Sequence, residues 1–205
     1  MSGELGAAPA GGEFGAAGDE PPIDESLVCD DVQVRTIVLG EPPAELRAVI
    51  DRRRSLGQDT YDEVWSGDYH VAPAGSGRHG ALQMAIGRAL HPRVAAGGLQ
   101  VTGPVNIGSP EDYRVPDAAV VRDVDQTWFP SAELVVEILS PDDETYAKLA
   151  FYARHGIPEV VVVDSDAKRV ELYARSTRGD GYTADGTSRL LRCSAAELAG
   201  ELDLR

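Results

Sequence analysis

The segment that most constrains this chain is Glu133–Leu139, a continuous apolar run interrupted once, by Glu137. Such a run reads as a central strand of a sheet, and what flanks it decides the fold class. Downstream comes a well-punctuated helix. Ser140 is a natural N-cap, Pro141 fits the first helical position, Asp143 has capping-box spacing, and Gly156 closes the turn. Two further strands follow, Glu159–Asp164 and Arg169–Tyr173, turning through Asp166-Ala167-Lys168, with a short terminal helix over Cys193–Leu198. Upstream, Pro42-Pro43 opens a helix over Ala44–Arg54 that Gly57 ends, and Glu63–Val71 reads as a hairpin about Ser66-Gly67-Asp68. Arg78–Ala96 carries Leu82, Ala85, Ile86, Ala89 and Leu90 on one helical face and stops at Gly97-Gly98. Leu99–Ile107 and Tyr113–Val121 look like a second hairpin joined through residues 108–112. From Arg78 onward the order is α-β-β-β-α-β, then an extra strand: a mixed α/β fold.

Charge divides the chain unevenly. The 205 residues carry a net charge of −15, and residues 1–40 hold eight of the 34 acids with one base, Arg35. The first twenty residues are mostly Gly and Ala without periodicity, too poor in apolar surface to offset their ordering entropy. Residues 1–40 are therefore expected to be an acidic, largely disordered tail, and 41–205 the folded domain. No apolar stretch reaches the length of a membrane span, and the N-terminus lacks the basic and apolar regions of a signal peptide. Cys29 and Cys193 fit neither a disulfide framework nor a zinc site, so two reduced thiols in a cytoplasmic protein are expected. Gly75-Ser-Gly77 does not follow a phosphate-loop pattern, and ATP is not implied.

Two acids stand where an acid is costly. Asp117 follows Pro116 in Tyr113–Val121, and Glu137 is flanked by aliphatic residues. A buried carboxylate needs a cation, a proton or a hydrogen-bond donor. Arg114 and Arg122 could serve as simple partners. A hard divalent cation between the two strands would satisfy both acids at once. Alternation puts Val135, Glu137 and Leu139 on one face, Val136 and Ile138 on the other. Lys148, on the following helix, suits the stabilisation of charge on a phosphorane-like transition state; Glu144, four residues earlier, offers it a surface ion pair instead. Glu63 could add a third carboxylate or be a solvated strand end. His79 could orient an acid or be solvated at a helix start. Tyr152 reads as a packing residue, and His155 as a helix-end histidine.

Taken together, these residues resemble a known family. Tyr61–Pro73, His79, Val115-Pro-Asp117, Leu134–Pro141, Lys148 with Tyr152, Gly156-Ile-Pro-Glu159 and Val162-Val-Asp164 are similar to the Uma2 family of restriction-endonuclease-like proteins, within the wider PD-(D/E)-x-K nuclease superfamily. The resemblance spans about residues 42–175. It implies a restriction-endonuclease-like core of order α-β-β-β-α-β, with an added N-terminal helix and hairpin and a C-terminal strand extension. It places the two motif acids on Asp117 and Glu137 and a third on Glu63, as ligands of Mg²⁺ or Mn²⁺. The superfamily lysine, two residues after the second acid, is replaced by Leu139, and the basic residue is displaced to Lys148. The implied activity is metal-dependent endonucleolytic hydrolysis of phosphodiesters, DNA being the substrate, by a homodimer.

Acidity opposes that reading, because a chain at −15 repels a polyanion at long range. Arg52-Arg53-Arg54, with Arg47 nearby, is the one basic run; it could face nucleic acid or simply end an exposed helix. Two alternatives therefore stand beside the nuclease: a non-catalytic interaction or regulatory module on the same fold, and a phosphohydrolase of small substrates.

Overall fold

Two prolines set the architecture by breaking what the sequence presents as two long hairpin arms. In the computed structural model, which describes residues 36–73, 75–140, 144–178 and 181–204, the chain changes sheets at Gly103-Pro104 and again at Val115-Pro116. Proline lacks the N–H a ladder needs, so a strand ends where one falls.

In chain order, β1 (Thr36–Val38) and α1 (Ala44–Ser55) precede the hairpin β2 (Glu63–Trp65) and β3 (Asp68–Val71). Ser66 and Gly67 both have positive φ, the geometry of a two-residue hairpin turn. Helix α2 (Gly77–Val94) leads to β4 (Gln100–Thr102), β5 (Asn106–Ser109), β6 (Asp112–Arg114), β7 (Ala118–Val121) and β8 (Trp128–Phe129). After them come β9 (Leu134–Ile138), α3 (Thr145–Arg154), β10 (Glu159–Asp164), β11 (Arg169–Arg175) and β12 (Tyr182–Asp185). A small pair, β13 (Thr187–Ser188) and β14 (Cys193–Ser194), precedes α4 (Ala195–Leu202), which a Ser194/Glu197 capping box starts.

One six-stranded sheet runs β1-β3-β2-β6-β5-β8, the other β12-β11-β10-β9-β7-β4. The second contains the expected α-β-β-β-α-β order as α2, β4, β7, β9, α3 and β10, with the β5–β6 hairpin inserted into the first sheet. Strand β9 is central there, antiparallel to β7 and parallel to β10. Its alternate residues supply two cores. Val136 and Ile138 pack with Ile86 and Leu90 of α2 and Leu198 of α4; Val135 packs with Phe151 and Tyr152 of α3. A third core joins Ile50 of α1 to Val64, Tyr69 and Tyr113 of the first sheet.

The first sheet docks onto α3 through an unusual closeness. Gly108 has φ +121°, and a Cβ there would lie 2.3 Å from the Asp112 carbonyl oxygen and 3.0 Å from the Phe151 ring, so no other residue fits.

Three expectations change. Strand β1 lies within the segment expected to be tail, so the sheet begins before residue 41; residues 1–35 lie outside the described residues. Helix α3 begins at Thr145 with Glu144 at the N-cap and no side-chain cap, not at Ser140; Pro141 and Asp143 lie outside the described residues. The supposed single hairpin over 99–121 is two pairings in two sheets, β5 with β6 and β4 with β7.

Candidate functional site

The sheet change at Pro116 positions most of the site. Val115 and Asp117 flank that proline, and each is tied to a different partner strand: the Val115 N–H donates to Glu63 Oε1 at 2.8 Å, and the Ile138 N–H donates to Asp117 Oδ2 at 2.7 Å. The antiparallel register that pairs Ala118 with Val136 brings Asp117 opposite Glu137. Asp117, Glu137, Glu63 and Lys148 thus line one pocket of about 120 Å³ between the two sheets.

Lys148 stands between two of the acids. Its Nζ is 2.9 Å from Glu63 Oε1 and 3.2 Å from Glu137 Oε2, and it is buried. Glu144, the surface partner that the sequence offers it, lies 3.6 Å from His70 Nδ1. Arg114 and Arg122 make their ion pairs with Asp112 and Glu133, and the charge of Glu63 also acts on Arg114. Arg53, from the basic run, pairs with Asp62.

Each carboxylate also has a dedicated neutral donor or imidazole. Tyr152 OH donates a short hydrogen bond to Glu137 Oε1. Trp65 Nε1 donates to Glu63 Oε2 at 2.6 Å. His79 Nε2 lies 2.7 Å from Asp117 Oδ1, and Gln83 donates to the same oxygen at 3.2 Å. Ser76 caps α2 by accepting from the His79 N–H, which fixes the first turn. The trace of these four partners in the sequence is spacing. Tyr152 is one turn beyond Lys148, and Gln83 one turn beyond His79. Trp65 and Glu63 share a strand face at i, i+2.

Electrostatically the pocket is over-acidic. Burial is the largest cause that pushes the Glu137 carboxyl up to about 8, and the charges of Asp117 and Glu63 add to it against the lowering by Lys148 and Tyr152. Burial, then the charges of Glu137 and Glu63, holds the Tyr152 phenol well above its ordinary value. Among the described residues no three His, Cys, Asp or Glu side chains form a ready-made metal cluster. The donor set nonetheless suits a hard divalent ion: three carboxylates offer oxygen alone, with Lys148 and His79 beside them among the described residues.

A column of stacked groups braces the pocket. His70 stacks on Trp65 at 4.7 Å, the Arg114 guanidinium lies 4.3 Å from Trp65 and 4.2 Å from Phe151, and Phe151 stacks on His155 at 4.1 Å. His155, as expected, ends the helix, with Nδ1 3.0 Å from the Pro130 carbonyl oxygen.

No helix among the described residues is long and apolar enough to cross a membrane. No curated protein matches the chain. A solved structure that does match is described as a putative nuclease belonging to DUF820 from Anabaena variabilis ATCC 29413; it is 18% identical, with a TM-score of 0.56, over 69% of this chain and 90% of that one. That likeness shows a shared fold. Residues 53–201 match the Uma2 family, described as "Putative restriction endonuclease", and the chain belongs to that family.

Proposed function

We propose that the protein is a divalent-metal-dependent endonuclease that hydrolyses phosphodiester bonds of DNA. The observation that carries this reading is three carboxylates lining one pocket: the buried Glu63 and Glu137 on either side of Lys148, and the half-buried Asp117 beside them. Asp117 and Glu137, with Glu63, would hold Mg²⁺ or Mn²⁺, which supplies Lewis-acid polarisation of the phosphoryl group when bound. The rest is work for the chain's own groups. Lys148 donates to a phosphoryl oxygen as negative charge builds there. Glu63 and Glu137 hold Lys148 in place. Tyr152 and Trp65 fix the rotamers of those two acids, while His79 and Gln83 fix Asp117. Water adds to phosphorus and gives up one proton to solvent, the bond from phosphorus to the leaving oxygen breaks, and that oxygen takes up a proton from solvent. The same reading takes the protein as a cytoplasmic homodimer.

The test is a calorimetric Mn²⁺ titration of wild type and Asp117→Ala, followed by cleavage of labelled DNA by both. Saturable binding and cleavage that the substitution removes, with circular dichroism unchanged, supports the reading. Equal cleavage by both proteins overturns it. Metal occupancy that responds to nucleotides but not to DNA would instead indicate a small-substrate phosphohydrolase.

A further inference from the structure

Asp117 lines two cavities. One is the carboxylate pocket; the other is a groove of about 840 Å³ between α2 and β4, the edge strand of the second sheet. Gly80 and Gly87 of α2 and Gly103 after β4 line this groove, and a Cβ built at any of the three meets no atom within 4 Å. They present bare backbone to open space. Arg88 and His91 also line it, and among the described residues Asp117 is its sole acidic lining residue, in a chain of net charge −15.

We propose that this groove is the track along which one strand of the nucleic-acid substrate leaves the reacting pocket. The inference rests on the nuclease reading above and adds a location for the polymer. An internal bond has chain on both sides of it, so a site that cuts internally must be open in two directions from the scissile phosphate. The pocket and the groove, with Asp117 lining both, supply two directions. From Gly80 to His91 the helix runs about 16 Å, or about five nucleotides at ~3.4 Å each in a stacked strand. One arginine and one histidine along that length match the sparser phosphates of a single strand better than the doubled charge of a duplex. Bare glycines let sugar and phosphate approach the backbone closely, and the rest of the lining, which is uncharged, tolerates any base. A second protein copy seated here would close one of the two exits.

The test uses the full chain with Ca²⁺ to suppress turnover, and a short labelled single-stranded oligonucleotide followed by fluorescence anisotropy. Arg88→Glu should weaken binding about tenfold or more and lower the slope of log K against log salt by about 0.7. Gly87→Trp fills the groove from a helical position where glycine is the poorer helix former, so the fold should tolerate it, and should also weaken binding about tenfold. Mn²⁺ affinity should be unchanged in both variants, because neither residue touches the carboxylates. Oligonucleotide binding as tight as wild type in both variants overturns the proposal. So does a change in sedimentation from dimer to monomer with oligonucleotide binding intact, which would put a second copy in the groove. A wild type that binds Mn²⁺ but no oligonucleotide overturns the track and leaves the metal pocket standing. A wild type that binds neither removes both.

Discussion

Asp62 and Glu63 are neighbours in sequence, both buried, and opposite in how their charge is handled. Asp62 has a guanidinium of its own: Arg53 Nη2 donates to both carboxylate oxygens at 3.0 Å, with Tyr69 OH at 2.8 Å and the Ala72 N–H at 2.9 Å completing the shell. Glu63 shares its ion-pair partner, Lys148, with Glu137. A carboxylate with a private cation and a closed shell is structural. A pair competing for one ammonium, with a third acid alongside, is left with charge that a ligand can balance. Strand alternation makes the division, since consecutive side chains point to opposite faces and only one of these faces meets the second sheet.

The contrast can be broken most severely on the Glu137 side. Glu137→Gln should lower metal-dependent DNA cleavage about 10²–10³-fold while leaving the melting temperature at neutral pH unchanged or higher, as followed by gel assay and calorimetry. Asp62→Ala should do the reverse. Losing one partner of a buried ion pair costs about 3–5 kcal/mol, so denaturant unfolding should show that loss, with cleavage per folded molecule preserved. Trp65→Phe keeps the ring in its stack but removes the donor to Glu63. It should cost about tenfold in kcat, roughly the worth of one hydrogen bond to a charged group, with little change in stability; an unchanged kcat would detach Trp65 from the site.

A further test of the contrast concerns pH. Burial holds the Glu137 carboxyl at about 8 when folded against 4.5 for the free group. Between those values the unfolded chain releases a proton that the folded chain keeps. Metal-free protein should therefore be most stable, on this account, below about 4.5 and lose that increment as pH rises through about 8. Glu137→Gln should flatten the decline, and identical slopes in wild type and variant would remove Glu137 as its source.

Much of this was legible in the residues because burial exaggerates chemistry. An acid inside Leu-Val-Val-Glu-Ile-Leu has few explanations, and Asp117, Glu137, Lys148 and Glu63 do line one pocket. The element order from α2 onward was equally readable from periodicity. What stayed hidden was whatever depends on which sheet a strand joins. Alternation at 99–107 and 113–121 looks the same whether a strand is continuous or changes sheets; only Pro104 and Pro116 carry the signal. Strand β1 is three residues of pairing with β3, too short to show a pattern. Tyr152 is indistinguishable from a packing aromatic until its hydroxyl is given a partner, and the Ser140-Pro141 signature was more helix-like than the helix it precedes.

The stacked column from His70 to His155 has a mechanical consequence. It links β2, β3 and β6 of one sheet to helix α3 and its C-cap residue through four successive ring and guanidinium contacts. Only the Arg114–Phe151 contact crosses from the sheet to the helix, so prising the cleft open at that seam would break that one contact and leave the other three in place. The seam is thus held at one point of the column, the Arg114 guanidinium on the Phe151 ring.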